Sequence, residues 1–342
     1  MKILFDILHL AHLNFFKRAI YQLREEGFEI RITYLDRGKI SRVLAKEFPD
    51  FVCTKIGTYS HTSWGKIPMV IKRARLFNNY LRQEKPDLTA GVGDFVLAAV
   101  SRSKGISSIQ FYDDYEFKAN FRLSQLFAKK LFIPFAIPAD SKKSVQYPSF
   151  KELAYLHPNS YKPNKKYLRE FDLKENQFVF VREVAGISMN YADLKEGSLL
   201  PFIKYLHRQG IKAILSLEDK KQKEKYAQFC TILEEPLEDI YSLIHFSSFA
   251  LSSGDSMARE AALLGVPCIY TGGRKMKVNE PFLEWGGIYK LEQESDILKK
   301  INVLQQKKAK VEWSNKIDQI IKERLADTTE SILQALKKEL VK

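Results

Sequence analysis

Late in the chain an apolar run ends in Ser252-Ser253-Gly254-Asp255-Ser256, and residues 257–265 continue at helical spacing to Pro267. Small residues between a strand and a helix let backbone amides approach a ligand, and the partial positive charge at the helix start suits phosphate. Glu260 falls one turn into that helix, where a carboxylate can reach ribose hydroxyls. Asp255 repels a diphosphate unless it turns away to cap the helix. An ordinary strand–helix unit with a capped helix has the same local pattern, so spacing leaves both readings open. Thr271-Gly272-Gly273-Arg274-Lys275 follows the next apolar stretch. It offers further amides and a cation to a bound donor, or is a plain flexible turn.

A second set of chemically capable residues lies in the first half. His9 and His12 stand three apart on the turn after the first apolar run. Histidine titrates near neutrality, which suits a base that deprotonates a sugar hydroxyl. One histidine capping the helix and the other packed is the alternative, and a metal lacks a clear third ligand. Asp94 closes Gly91-Val92-Gly93-Asp94, and Asp113, Asp114 and Glu116 follow another apolar run. Carboxylates at strand ends act as acid and base or orient a sugar; as solvated helix caps they do neither. Tyr59, His61, Trp64 and Lys66 form a polar-aromatic stretch that can stack on a sugar or pack into a core.

The elements that must position these residues alternate short β-like runs with helical segments, the pattern of an α/β fold with parallel sheets. Strands are expected over 2–7, 28–34, 88–92, 108–112 and 132–137. The spacing of Leu13, Phe16, Ile20 and Leu23 predicts the first helix, stopped by Gly27. A second series begins near residue 177, with strands over 178–181, 211–217, 249–251 and 268–270. Helices are expected over 199–209, up to Tyr226, and over 256–264. Residues 147–174, rich in Pro, Lys, Asn and Tyr, read as the linker, and 313–340 as one or two polar helices. A chain of 342 residues fits two domains, expected at 1–160 and 161–342, the second with a helical tail. Two open α/β domains imply a cleft lined by loops at the carboxyl ends of the strands.

Met257-x-Arg259-Glu260-Ala261-Ala262-x-Leu264-Gly265-x-Pro267 resembles the donor-site motif of GT-B glycosyltransferases and of their relatives, the UDP-N-acetylglucosamine 2-epimerases. More closely, the chain resembles the glycosyltransferases catalogued as domain of unknown function 354. The resemblance extends to Asp6-Ile7-Leu8-His9-x-Ala11-His12-x-x-Phe15-Phe16-Lys17 and Asp113-Asp114-x-Glu116. It continues through Tyr147-Pro148-x-x-Lys151-Glu152-Leu153-x-Tyr155-Leu156 and Val181-Arg182-x-x-x-Ala185, covering nearly the whole chain. It implies two Rossmann-like domains and a nucleotide-sugar donor held by the second. In that scheme Ser253, Gly254 and Ser256 contact the diphosphate, Glu260 holds the ribose and Arg182 neutralises phosphate charge. Ser252 and Asp255 stand where such motifs usually carry glycines. The order of Asp94 and then Asp113 to Glu116 also resembles the acidic motifs of the 2-epimerases, which use acids for C2 proton transfer and for eliminating UDP.

Composition limits the rest. Lys and Arg number 55 against 41 acidic residues, a net charge of +14. The excess shows in runs such as Lys129-Lys130, Lys142-Lys143 and Lys162 to Arg169. Such a surface attracts phosphorylated substrates, anionic lipid or nucleic acid, or is a plain solvated face. No recognition-helix or RNA-binding aromatic pattern supports nucleic acid. Three scattered cysteines fit a reducing compartment rather than a disulfide framework. No stretch approaches the ~20 apolar residues of a membrane span. The expectation is a cytoplasmic glycosyltransferase, free or at the inner membrane face, that moves a sugar from a nucleotide donor to a glycan or lipid-linked acceptor. It needs no metal and no cofactor, and a 2-epimerase is the alternative.

Overall fold

The apolar runs become strands because helices cover both faces of the sheets they join. The structure is a computed structural model describing residues 1–60, 62, 65–185, 197–234 and 237–341. It divides into two units, Met1–Asn159 with Leu325–Lys342, and Ser160–Arg324.

The first unit runs β1 (Lys2–Ile7), α1 (Leu10–Glu25), β2 (Glu29–Asp36), α2 (Ile40–Glu47), β3 (Cys53–Thr58), α3 (Lys66–Glu84) and β4 (Leu88–Val92). It continues with α4 (Phe95–Ser103), β5 (Ser107–Phe111), α5 (Lys118–Phe127), β6 (Lys130–Pro134), β7 (Ser144–Tyr147) and α6 (Leu153–Leu156). All seven strands are parallel, in the order β3-β2-β1-β4-β5-β6-β7. The first helix buries Leu13, Phe16, Ile20 and Leu23 as their spacing requires. It ends just before Gly27, whose φ of 88° suits glycine. Phe5, Phe15, Phe16 and Phe111 meet edge to face with centroids 4.8 to 5.8 Å apart, filling the layer between β1, β5 and α1.

The second unit contains α7 (Lys166–Glu170), β8 (Phe178–Glu183), α8 (Leu200–Arg208), β9 (Lys212–Leu217), α9 (Lys223–Tyr226), β10 (Thr231–Ile232), α10 (Ile240–Phe246) and β11 (Ala250–Ser252). Then come α11 (Asp255–Leu263), β12 (Cys268–Tyr270), α12 (Glu280–Trp285), β13 (Ile288–Lys290), α13 (Glu294–Leu304) and α14 (Lys307–Arg324). Its strands are also all parallel, in the order β10-β9-β8-β11-β12-β13. Each unit is thus a Rossmann-like doubly wound sheet, with strand order reversing between its first and fourth strands.

One expectation is corrected and another sharpened. The tail does not belong wholly to the second domain. Its last helix, α15 (Thr328–Leu340), buries Ile332, Leu333 and Leu336 in the core of the first unit. Arg18 pairs with Asp327 at 3.1 Å, and the Thr328 hydroxyl donates to the Phe150 carbonyl at 2.7 Å. The stretch 147–174, read as the linker, does contain the division between the units, but much of it is packed. Phe150, Leu153 and Leu156 are buried in the first unit, Tyr167 and Leu168 in the second, and the units divide at 159/160. Among the described residues no helix is long and apolar enough to cross a membrane.

Candidate functional site

In a doubly wound sheet, ligands bind outside the carboxyl ends of the strands where the order reverses. In the first unit that point lies between β1 and β4, and the loops after β1, β4 and β5 bring His9, His12, Asp94 and Asp113 to it.

The acids there are largely committed. Asp94 is 2% exposed and caps α4, accepting from the Val96 and Leu97 amides at 3.1 Å. Both its oxygens also accept from Arg73 at 3.1 Å. Arg73, itself buried on α3, reaches on to Asp6 at 2.5 Å, and Asp6 accepts from the Thr33 hydroxyl at 2.6 Å. Burial pushes the Asp6 carboxyl up to about 7, although Arg73 opposes the shift. Asp94 is therefore a buried structural group, not an exposed acid–base residue. Gly93 makes this turn possible: its φ is +60°, and a Cβ there meets the Tyr112 ring at 2.3 Å.

Asp113, 9% exposed, forms an ion pair with Lys151 at 2.6 Å. Lys151 arrives from the segment after β7, so the pair joins two distant loops. Asp114 and Glu116 lie half-buried on the same β5–α5 loop. The two histidines divide in role. His9 is the N-cap of α1, its Nδ1 accepting from the Ala11 amide at 3.3 Å. His12 stands one turn in, its ring 6.3 Å from that of His9. The His12 Nδ1 is buried and, among the described residues, has no hydrogen-bond partner. Burial first, then His9, Lys151 and Arg37, hold its pKa well below the usual histidine value, with Asp113 pulling the other way. His12 is thus a neutral imidazole beside an ion pair.

The polar-aromatic stretch is only partly described. Arg37 lies over the Tyr59 ring at 4.2 Å, and Lys66 opens α3. His61 and Trp64 lie outside the described residues.

The second unit builds its reversal point from backbone. Ser252 ends β11 in register with Arg182 of β8, and the Ser253 amide donates to the Arg182 carbonyl at 3.0 Å. Gly254 has no room for a side chain, since a Cβ there meets Val184 Cγ1 at 2.8 Å. The Ser252 hydroxyl bridges the turn, donating to the Gly254 carbonyl and accepting from its amide. Ser253 is buried and accepts from the Val184 amide at 3.0 Å, so it fastens the turn to β8. The N-cap of α11 is Gly254, which brings no capping side chain, and the partial positive charge of that helix start suits an anion.

Asp255 turns inward as its position requires. Its carboxylate lies 3.3 Å from Arg259 and 3.6 Å from Arg274. Arg259, 1% exposed, also donates to Asn279 at 2.7 Å and lies 3.4 Å from the Ser256 hydroxyl. Gly272 lets the Arg274 loop lie against the turn, because a Cβ there meets the Ser253 carbonyl and the Tyr270 ring at 2.5 Å. Glu260, 7% exposed, accepts from the Tyr241 hydroxyl at 3.2 Å. Arg182 points across the sheet, its guanidinium 2.7 Å from the Ser216 hydroxyl and 3.4 Å from Glu218. A cavity of about 290 Å³ opens beside this turn, lined by Tyr270, Arg274, Met276, Asn279 and Lys290 among others. A larger hollow of about 360 Å³, bordered by Arg102, Lys129 and Lys143, sits at the amino ends of β5 to β7, away from either reversal point.

The sequence does not single out Arg73 or Tyr241, which hold Asp94 and Glu260, and Asp6 and Arg259 stand in it only as parts of the quoted motifs. Lys151 likewise enters only as part of a resemblance.

The family described as "Protein of unknown function (DUF354)" matches residues 1–330. The chain belongs to this family. Another protein that this DUF354 member resembles is uncharacterised, from Methanocaldococcus jannaschii, 22% identical over 275 residues covering 77% of this chain and 80% of the relative. Among solved structures, the UDP-GlcNAc 2-epimerase of M. jannaschii, in complex with UDP-GlcNAc and UDP, has a TM-score of 0.72 at 16% identity, covering 99% of this chain and all of that one. The spinosyn forosaminyltransferase SpnP has a TM-score of 0.70 at 13% identity, with both chains covered completely. The DUF354 member therefore shares its fold with both 2-epimerases and GT-B glycosyltransferases.

Proposed function

We propose that the chain is a metal-independent glycosyltransferase that takes a sugar from a nucleoside diphosphate and passes it to a glycan or lipid-linked hydroxyl. The second unit holds the donor. The start of α11, with its partial positive charge, and the Arg274 cation bind the diphosphate, and Glu260, steadied by Tyr241, takes the ribose. UDP is the nucleotide to try first, since the fold-related 2-epimerase binds UDP-GlcNAc and UDP.

The first unit supplies the base. An acceptor oxygen attacks the anomeric carbon while its proton passes to His12. The bond from that carbon to the diphosphate breaks, and the nucleotide leaves with the electron pair, its charge stabilised by the helix start and Arg274. Asp113 stabilises the imidazolium that forms.

The state of Asp94 favours a transferase over a 2-epimerase. Epimerisation needs carboxylates free to move protons at C2, and Asp94 is bound by two amides and a buried arginine. His12 offers a neutral nitrogen with no partner among the described residues, suited to a hydroxyl.

Thermal unfolding with UDP and other nucleoside diphosphates tests the donor half, because a ligand of the native state raises the midpoint. Absence of a shift with every nucleotide removes the reading. Incubation with UDP-GlcNAc alone in heavy water tests the chemistry. Deuterium entering C2 without acceptor makes the enzyme a 2-epimerase.

A further inference from the structure

The net charge of +14 is not used up by either reversal point, and one face of α3 concentrates it beside exposed apolar groups. Arg73, Phe77 and Leu81 point inward, which fixes the helix rotation. The adjoining flank carries Ile67, 72% exposed, and Ile71, 48% exposed, one turn apart. Lys72 and Arg75 lie beside them, both exposed and without an ion-pair partner among the described residues. No acid occurs in α3 before Glu84, nor in β3 or α4, the elements packed most closely against it. Two exposed isoleucines beside unpaired cations fit the interface of an anionic bilayer.

The position of this face adds to the argument. The helix follows β3 and returns antiparallel to the strands, so it starts at their carboxyl ends. Arg73 reaches Asp6 near the end of β1 and Asp94 just after β4. At ~1.5 Å per residue, residues 66–72 extend roughly 10 Å toward the edge where His12 lies. Tyr59, at the root of the loop that leads into α3, stacks under Arg37, whose charge acts on His12.

We propose that the first two turns of α3 dock on an anionic membrane and that the acceptor is carried by a lipid, an inference that rests on the transferase reading above. Ile67 and Ile71 enter the headgroup boundary while Lys72 and Arg75 meet lipid phosphates, which presents the His12 edge to that surface.

The test is co-sedimentation of the full chain with vesicles of phosphatidylglycerol and phosphatidylcholine, against phosphatidylcholine alone. The protein should bind the anionic vesicles. Ile67→Ser/Ile71→Ser should weaken binding roughly tenfold or more, and Lys72→Glu/Arg75→Glu comparably. Lys142→Glu/Lys143→Glu, at the amino ends of the strands, is the control and should have a much smaller effect. Failure to bind anionic vesicles overturns the proposal. So does an equal loss in the control pair, which makes the attraction one of bulk charge. A dimer in light scattering that Ile67→Ser/Ile71→Ser dissolves also overturns it, the face then belonging to a second copy. Nucleotide-induced thermal shifts on the same samples separate the two readings. Vesicle binding without a shift removes the transferase and leaves the docking face, whereas a shift without vesicle binding removes only the docking face.

Discussion

The two units share the order of their first six strands and place their candidate residues at the same topological point, yet they build opposite surfaces there. In the first unit the reversal point is crowded with ionisable groups, most of them neutralised by one another: Asp6 and Asp94 by Arg73, Asp113 by Lys151. In the second it is made of small residues and backbone, with Gly254 and Gly272 lying too close to neighbours for any side chain. The fold supplies a place for chemistry and the loops decide its kind. A backbone nest suits a ligand that brings its own charge, such as a diphosphate. A nearly balanced cluster around one neutral ring suits a proton.

The largest effect should come from separating those roles at His12. His12→Gln removes the base while keeping a polar side chain, so the transfer rate should fall by about 10² to 10⁴. The nucleotide-induced thermal shift should stay as it was, because the donor half lies in the other unit. Loss of both together breaks the division of labour.

Arg73 tests how far the first unit depends on its buried charges. Arg73→Met leaves two buried carboxylates facing each other, and breaking a buried pair costs about 3 to 5 kcal/mol. The urea midpoint should fall accordingly. Asp6 adds a signature in pH. Its folded-state value, about 7, lies above the ordinary value of 3.8, so the native state holds a proton that the unfolded chain has released between those limits. Stability contributed by this site is therefore present at acid pH and lost as pH rises toward and through 7. The difference in unfolding free energy between wild type and Asp6→Asn, followed from pH 5 to 8, should show that slope. A flat difference means the triad keeps its charges fixed.

In the second unit the comparable change is milder. Glu260→Ala removes a carboxylate whose hydrogen bonds to hydroxyls contribute about 1.5 to 3 kcal/mol. Nucleotide affinity should fall roughly tenfold or more in titration calorimetry, while a free diphosphate, lacking ribose, should bind as before. Equal loss for both ligands places Glu260 in the scaffold of the turn.

Much of this contrast is legible in the sequence, but unevenly. Central strands such as Phe178–Glu183 are buried on both faces and read as continuous apolar runs. Edge or near-edge strands escape: Ser144–Tyr147 has one buried residue, and Thr231–Ile232 only two residues in all. The small-residue turn could be placed because its cause is local, a strand, a glycine and a helix in sequence. The fate of the acids could not. Asp94 meets a partner 21 residues away and Asp113 one 38 residues away, and nothing in the pattern around Arg73 sets it apart from the surface cations of α3. The same long-range packing hid the return of α15 to the first unit, since an amphipathic helix does not say which core its apolar face joins.

The smallest predicted effect is the most specific to the first unit. The His12 pKa is lowered chiefly by burial, further by His9 and by the Lys151 cation, and raised by Asp113. If His12 is the base, the acid limb of the rate profile should lie below pH 6.5, because only the neutral ring accepts a proton. Lys151→Met removes a cation and leaves Asp113 unopposed, so the limb should move to higher pH. Asp113→Asn removes the carboxylate and leaves the cation, so the limb should move the other way. Opposite displacements from the two halves of one ion pair are hard to obtain from a general loosening of the fold, which would shift both in the same direction. If both variants leave the limb in place, the titrating group is not His12, and the base must be sought on the β5–α5 loop, at Asp114 or Glu116.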